Sequence, residues 1–182
     1  MPTIATAFGF ERADFVTPGT TPTFSQIRGV TKANISYEME TVEVKGDDDI
    51  LAYWNHSQKG TIEITGGLID LEVYETITGN QVVTDSGPPE ISKILFGTDT
   101  ELQPVEFMLR LRQRAKDPDS GAAYYRDVYI FRCVGTIQPA GMAHGESVEV
   151  NIKANMLKAT KDEKNNNLSE PAFGRQDIVA VS

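Results

Sequence analysis

The sequence predicts a mainly β protein, an antiparallel sandwich or barrel with one short flanking helix at about residues 68–78. Three long stretches, residues 34–45, 105–116 and 146–158, alternate between apolar and polar side chains, which is the pattern of strands that bury one face. Residues 68–78 instead carry apolar side chains at helical spacing and end at Gly79, a residue typical of helix C-termini.

We predict a single domain over residues 1–182, with an N-terminal arm at 1–28, a β core at 29–160 and a C-terminal segment at 161–182. The first segment is rich in Thr, Pro and Gly and has only weak periodicity, so we expect an extended arm there. In the last segment, residues 161–170 are polar and predict a loop, and residues 177–181 predict a final strand. The two ends are therefore expected as extended arms around the core.

The strand predicted from Asn34 to Lys45 is long for a small domain. Its residues extend over roughly 40 Å, whereas about five or six residues are usual for a strand. The turn Gly46–Asp49 ends it, a loop containing Tyr53 and Trp54 follows, and a second strand occupies residues 61–65. A strand that is longer than its own domain requires partners elsewhere, which indicates a subunit of a larger assembly.

The remaining core segments differ in how they distribute apolar residues. The strand at 105–116 is apolar on one face and carries Arg110, Arg112 and Arg114 on the other. Residues 124–138 are apolar on both faces, which predicts a central strand that is covered on both sides. Residues 81–97 contain Gly87-Pro88-Pro89 and predict an irregular path.

Composition and charge exclude several function classes. The net charge of −9, from 26 acidic and 17 basic residues, argues against a groove that grips nucleic-acid phosphates. No apolar run approaches the roughly 20 residues that cross a bilayer, and the N-terminus lacks a signal-peptide pattern, so we expect no membrane insertion. The single cysteine, Cys133, rules out an internal disulfide and indicates a reducing compartment.

The sequence lacks catalytic motifs, and we expect neither an enzyme nor a cofactor site. It contains no phosphate-binding loop, no nucleophile elbow and no paired-cysteine metal signature. Its two histidines, His56 and His144, lack the spacing of metal ligands. Cys133 falls within an apolar strand, where a buried and unreactive thiol is expected.

A resemblance to a known family rests on the order and spacing of segments between residues 30 and 160. These segments are Ala33–Thr41, Gly46–Asp49, Lys59–Thr65, Leu68–Glu72, Thr78–Asn80, Tyr129–Cys133 and Val148–Ala159. In this order they resemble the major tail tube proteins of long-tailed bacteriophages. The resemblance implies a β-sandwich or barrel that assembles into hexameric rings, and rings that stack into a tube for DNA delivery into the host.

The same resemblance implies partners and a location. The partners are further copies of the chain, the tape measure protein, the tail terminator and the tail-tip proteins, and DNA passes through without specific binding. The location is the tail of the virion, after assembly in the bacterial cytoplasm. Residues 46–57 occupy the place of the family's ring-to-ring contact loop, so we predict that the next ring is contacted by Asp47, Asp48, Asp49, Tyr53 and Trp54.

Charge suggests which surfaces face the lumen and the neighbours. Glu38 and Glu40 are assigned to the lumen, because an acidic lining repels phosphates and lets DNA slide. Arg110, Arg112 and Arg114 are assigned to the subunit interface, where a neighbour neutralises them.

Two alternatives stay open. One is a soluble β-sandwich module that binds carbohydrate or calcium through Asp47, Asp48, Asp49, Tyr53 and Trp54. The other is the inner tube of a contractile secretion or injection system.

Overall fold

A computed structural model describes residues 6–45, 50–66, 71–80, 82–85, 87, 91–94, 105–139 and 150–181. Within these ranges the chain forms twelve strands and one helix. The elements are β1 (Thr6–Thr17), β2 (Thr23–Ile27), β3 (Val30–Lys45), β4 (Ile50–Gly66), α1 (Leu71–Thr78), β5 (Val82–Asp85), β6 (Ile91–Ile94), β7 (Glu106–Lys116), β8 (Ala123–Pro139), β9 (Val150–Met156), β10 (Ala159–Lys161), β11 (Asn167–Ala172) and β12 (Gly174–Ala180).

Eight of the strands form one antiparallel sheet in the order β2-β1-β7-β8-β9-β4-β3, with β12 also paired to β8. The predicted mainly antiparallel β class is confirmed, although the sheet does not close into a barrel. Only Arg28 and Gly29 separate β2 from β3, and these two strands end the sheet on opposite sides. The sheet therefore curls until its two ends meet at one corner, where Gly29 has a φ of 74°.

The curl encloses a core built from every second residue of each strand, as a pleated strand requires. Fully buried members include Leu109 of β7, Ile130 of β8, Ile152 of β9 and Ile62 and Ile64 of β4. The predicted alternation of β7 is confirmed, since Phe107, Leu109 and Leu111 face this core. The inner face of the sheet is thus the apolar interior, and the outer face carries the charged rows described below.

The long strand β8 organises the centre of the sheet. One of its edges pairs with β7 along residues 123–134. Its other edge pairs first with β12, at residues 124–130, and then with β9, at residues 133–139. Because β9 and β12 run in the same direction along one edge of β8, β12 continues the line of β9 after the excursion at residues 157–173. The prediction of a central strand is confirmed.

The helix is the flanking element that the sequence predicted. Val73 and Ile77 are buried in the main core. Gly79 has a φ of 73° and donates its N–H to Glu75 O at 2.8 Å, which closes the C-terminus as expected. The start predicted at residue 68 lies outside the described residues, and the described helix begins at Leu71.

The terminal segments are extended, as predicted, and both pair with the main sheet; the final strand predicted at residues 177–181 is confirmed by β12. β1 pairs with both β2 and β7, and it buries Ala13 and Val16 almost completely. At the other end β12 pairs with β8 along its whole length. The weak periodicity of the first residues has a physical cause, because register shifts near Phe10 interrupt the alternation of β1.

Two predicted loops are also hairpins in the structure. Residues 161–170 were expected as a loop, but β10 and β11 pair with each other there and form a second small sheet. The irregular path expected at 81–97 contains the paired strands β5 and β6. β5, β6 and β10 have only three or four residues, too few to show a period of two, and the six residues of β11 lie in a mostly polar run.

Candidate functional site

The hairpin of β3 and β4 extends beyond the rest of the sheet. β4 pairs with β9 only through residues 60–66, whereas β3 follows it from residue 66 back to residue 50. Among the described strands, residues 50–59 of β4 therefore have β3 as their only partner. A two-stranded ribbon is marginal in water by itself, which makes this ribbon a candidate for contact with another molecule.

The predicted ring-contact residues map onto this ribbon. Tyr53 and Trp54 lie in β4, where their backbones pair with Glu43 and Val42, so the prediction that they lie in a loop is wrong. The β-branched and aromatic residues around them favour a strand. Asp47, Asp48 and Asp49 lie outside the described residues. A contact of these five residues with a second ring stays a prediction.

Two apolar side chains are exposed where the ribbon leaves the sheet. Tyr37 is 61% exposed and Met39 is 52% exposed. Both continue the row that begins with the half-buried Ala33 and Ile35, on the core face of β3. The ring of Tyr37 lies 6.1 Å from the ring of Phe173, which is the residue directly before β12. At Tyr37 and Met39 the core face of the sheet is therefore exposed to solvent.

Glu38 and Glu40 lie on the opposite, outer face of β3, in a wholly polar surface. Side chains that are directly opposite across paired strands share a face, and the registers place Lys59 opposite Glu38 and align Asn34, Glu63 and Lys153. We call this surface the polar face; its members are Lys32, Asn34, Ser36, Glu38, Glu40, Lys59, Thr61, Glu63, Thr65, Asn151, Lys153 and Asn155.

The polar face is balanced in charge, whereas an acidic face was expected from Glu38 and Glu40 of β3; their assignment to a lumen stays a prediction. Its three glutamates face three lysines, and two pairs are in contact: Lys59 Nζ lies 3.0 Å from Glu40, and Lys153 Nζ lies 3.2 Å from Glu63. The hydrogen bond to Glu40 and its charge raise the pKa of Lys59 above its ordinary value. The sequence of β3 alone does not show this balance, because Lys59 and Lys153 belong to β4 and β9, which lie beside it in the sheet.

The basic strand β7 finds its counter-charges within the same chain. Arg110 is buried and donates two hydrogen bonds to Asp14 Oδ2, from Nε at 2.9 Å and from Nη2 at 2.6 Å. Its guanidinium carbon also lies 3.7 Å from the centre of the Phe24 ring. Because Arg110 is covered by β1 and β2, it cannot reach a neighbouring subunit without a rearrangement.

The two following arginines show a graded exposure. Arg112 donates to both carboxylate oxygens of Asp127, at 2.7 and 2.6 Å, and these hydrogen bonds raise its pKa above the ordinary value. Arg114 is largely exposed and lies 3.6 Å from Glu11. Arg110 and Arg112 are neutralised within their own chain, and Arg114 is the most exposed member of this row; the assignment of the three arginines to a subunit interface stays a prediction.

A second charged cluster, which the sequence did not indicate, joins β12 to the turn between β10 and β11. Arg175 contacts Glu163 at 2.8 Å, Asp177 at 2.9 Å and Asp162 at 3.8 Å. These hydrogen bonds, to Asp177 first and to Glu163 next, raise the pKa of Arg175. Glu163 is almost fully buried although it lies in a polar run. The sequence places Glu163 and Arg175 twelve residues apart, with no periodic relation.

Asp162 fixes the turn of that hairpin, and its removal should loosen the second sheet. Its carboxylate accepts the N–H groups of Lys164 and Asn166, at 2.9 and 2.8 Å, and Asn165 turns with a φ of 63°. Burial opposes ionisation of Asp162, but the hydrogen bonds from Asn166 and Lys164 outweigh it and hold the pKa below its ordinary value. We expect Asp162→Ala to lower the free energy of unfolding by about 1–3 kcal/mol at pH 7.

The lowered pKa sets the pH dependence of that loss. A group whose pKa is depressed by folding stabilises the folded state above its unfolded pKa, about 3.9, and loses the effect as pH falls through the folded value. Urea unfolding of Asp162→Ala and the wild type should therefore differ most near neutral pH and converge in acid. A difference that stays constant down to pH 2 would contradict an ionic origin, and Asp162→Asn, which keeps one acceptor, serves as the matched control.

Cys133 is buried, and burial raises the pKa of its thiol to about 12. Within the described ranges no three His, Cys, Asp or Glu side chains are arranged to hold a metal ion. No described helix is long and apolar enough to span a membrane.

These elements define a mainly antiparallel β protein whose distinguishing surfaces are a projecting ribbon and a balanced polar face; among the described strands, β2, β3 and β12 are the edges of the main sheet. No family model matches the chain. No curated protein matches it either. Among solved structures, it is similar to a chain of the "tail of empty GTA particle", refined with C6 symmetry, with 15% identity and a TM-score of 0.38 over 89% of this chain and 94% of that one. A similarity at this level assigns neither family nor function.

Proposed function

We propose that this protein is a structural subunit of a phage-type tail tube, and that copies of it form stacked rings, six to a ring, around a channel for DNA. The order of segments in the sequence supports the proposal. The observation that carries it is the ribbon of β3 and β4, which extends past the sheet with exposed apolar side chains at its base. A lone ribbon of this kind is stabilised when another copy covers it.

The polar face fits the lining of such a channel. All its described side chains are polar, and two of its three lysines form ion pairs with glutamates of the neighbouring strands. Phosphate binding releases counterions only where unpaired cations are presented, so a balanced face offers DNA little affinity. In this proposal Glu40, with Glu38 beside it, neutralises the charge of Lys59, and neither glutamate is needed to repel phosphates. The tube subunit is proposed to work without catalysis, cofactor or metal.

Microscopy of the purified full chain tests the proposal directly. We expect rings or tubes in negative stain, and light scattering that rises with protein concentration. A protein that remains monomeric at millimolar concentration would contradict the proposal. Titration with calcium and with a glycan array provides the contrast, because saturable binding of either ligand would support a soluble binding module instead.

Shortening the ribbon should separate folding from stacking. Thr41 and Asn55 are directly opposite in the register, so residues 42–54 can be replaced by an Asn-Gly turn that joins them. We expect a folded subunit whose circular dichroism and thermal midpoint stay close to the wild type, but whose rings no longer stack. The matched control is Tyr53→Ala with Trp54→Ala at full ribbon length, which removes only the two aromatic side chains.

The outcomes of the truncation distinguish two roles for the ribbon. Tubes of normal length from the shortened protein would contradict a stacking role. An unfolded product would show that the ribbon packs onto its own subunit. If the double alanine variant also loses stacking, the contact depends on Tyr53 and Trp54 rather than on ribbon length.

A further inference from the structure

Two strands of the same chain have an open edge, and the two edges face each other. Among the described strands, residues 50–59 of β4 pair only with β3, and β12 pairs only with β8. β9 lies between β8 and β4, and β12 continues the line of β9 along β8. The open edge of β12 is therefore on the side of the ribbon of its own chain. Open edges present rows of N–H and C=O groups that are ready to pair with another strand.

The hydrogen bonds of β12 show which backbone groups point to its open edge. Phe173 and Val181, at the two ends of the strand, bond to the backbone of β8 at 2.9 and 3.2 Å. In an antiparallel strand the N–H and C=O of one residue point to the same side, and those of the next residue point to the other side. The odd-numbered residues of β12 therefore bond to β8, whereas Gln176 and Ile178 direct their backbone groups towards the ribbon.

Strand β8 gives a common reference for the heights of β4 and β12. Through β9, Cys133 of β8 lies at the height of Gly60 of β4. The register of β8 with β7 contains one extra residue of β8 between Cys133 and Ile130, so Ile130 lies two steps beyond Cys133. Gly174 of β12 pairs with Ile130. Two steps beyond Gly60 is Gln58, which therefore lies at the height of Gly174.

The same count continues along the ribbon. β4 has one extra residue in its register with β3, His56, which does not add a step. Asn55 then lies at the height of Gln176, and Tyr53 lies at the height of Ile178. Because β9 and β12 run in the same direction and β9 is antiparallel to β4, β12 is antiparallel to β4 as well. The two open edges are thus aligned for antiparallel pairing.

The two edges are close together at the base of the ribbon. Tyr37 pairs there with Gly60, and its ring lies 6.1 Å from the ring of Phe173, the residue directly before β12. Beyond the base, no pairing of β4 with β12 is present among the described residues, so the two edges separate. Ile178 is exposed on β12 where they do. Since a two-stranded ribbon is marginal in water, a third strand along its edge would stabilise it.

We propose that in the unassembled subunit the ribbon closes onto β12 of its own chain, with residues 53–58 of β4 pairing with residues 174–178 of β12. The closed ribbon lies along its own sheet instead of projecting from it, and it is then withheld from the next ring. This second step rests on the proposed function. Closure lowers the apparent affinity of the subunit for the tube by the fraction of molecules that are open.

A pair of cysteines tests the closure and its register. The Cα atoms of directly opposite residues that exchange hydrogen bonds are about 5.5 Å apart, which suits a disulfide. We therefore expect Asn55→Cys with Gln176→Cys to form an intrachain disulfide when the dilute full-length protein is oxidised, as measured by peptide mass spectrometry. Asn55→Cys with Ile178→Cys is the matched control. Its Cα atoms are about 9 Å apart in the closed form, beyond the roughly 7 Å that a disulfide can bridge.

The results of oxidation decide for or against the closure. Wild type, which has only the buried Cys133, controls for reaction of that thiol. A disulfide in the matched pair and reduced thiols in the shifted pair are the expected result. Absence of an intrachain disulfide in the matched pair would overturn the proposal, as would equal oxidation of both pairs.

Assembly measures whether closure withholds the ribbon. The oxidised pair of Asn55→Cys and Gln176→Cys should not assemble, and reduction should restore assembly. Ile178→Pro removes an N–H that the closed form uses and leaves the bonds to β8 in place, because proline is tolerated at a strand edge. We expect it to lower the protein concentration needed for assembly by about two- to tenfold. Ile178→Thr, which keeps the N–H, should need a concentration closer to that of the wild type.

These outcomes are distinct from those that test the tube. Normal tubes from the oxidised pair, or a higher assembly concentration for Ile178→Pro, would overturn the withholding of the ribbon and leave the tube intact. A wild type that never forms rings would contradict the tube, whereas the intrachain disulfide would still report closure. If Ile178→Pro does not fold, the cysteine pairs decide alone.

Discussion

Replacing Arg110 by alanine should lower the free energy of unfolding by about 2–4 kcal/mol, because the buried carboxylate of Asp14 loses two charge-assisted hydrogen bonds and keeps only Arg12, whose Nε lies 3.3 Å from Oδ2. Asp14 is 1% exposed and accepts both hydrogen bonds from Arg110. The substitution also removes the cation that lies over the Phe24 ring. Urea unfolding of the purified variant, followed by far-UV circular dichroism, measures the loss.

Two matched variants make this prediction specific. Arg114→Ala removes an arginine from the same face of β7, but its partner Glu11 is 3.6 Å away and the side chain is 68% exposed, so we expect a loss below about 1 kcal/mol. Asp14→Leu combined with Arg110→Met replaces the pair by apolar groups and should restore much of the stability. A loss from Arg110→Ala as small as that from Arg114→Ala would contradict a buried ion pair.

Reversing Arg110 and Arg112 to glutamate would not by itself test a subunit interface. Reversal would impair assembly through unfolding, because both residues are bound within their own subunit. Arg114 is the member of the row whose reversal can test an interface without that effect. The burial of each arginine, which the sequence alone does not give, therefore decides which of them can be mutated to test an interface.

The sequence predicts strands well where alternation persists over many residues. β7 and the first half of β3 follow the expected period because every second residue of each faces the main apolar core. The fold class follows from such segments, as does the helix end at Gly79, whose left-handed φ glycine adopts without strain. These features are local, so one chain segment carries all the information needed to recognise them.

The parts that the sequence did not predict depend on distant residues. Asp14 and Arg110 are 96 positions apart, and only the pairing of β1 with β7 brings them together. Lys153 balances Glu63 because β9 lies beside β4. The sequence predicts an arm for the N-terminal residues because register shifts in β1 obscure its period of two. Its place in the sheet depends on pairing with β7, which lies about 90 residues away in the sequence. Charge on an isolated strand therefore says little about the charge of a sheet face.

The first residue of β12, Gly174, lies very close to the backbone of β8. Gly174 lies opposite Ile130, and its backbone approaches the backbone of β8 so closely that a Cβ at this position would overlap the carbonyl oxygen of Tyr129. A backbone carbonyl inside a sheet cannot rotate away as a flexible side chain can. Glycine is therefore required by close approach, and its φ is not left-handed.

We expect Gly174→Ala to cost about 3 kcal/mol or more, because the added methyl group must push β12 away from β8. The loss should be local, so hydrogen exchange should accelerate at Val179 and Val181 of the C-terminal strand while Leu109 and Ile152 of the core stay protected. Gly19→Ala is the control, since the nearest atom to its added Cβ is Thr21 O at 3.9 Å. Exchange that is unchanged along β12 would contradict the steric argument.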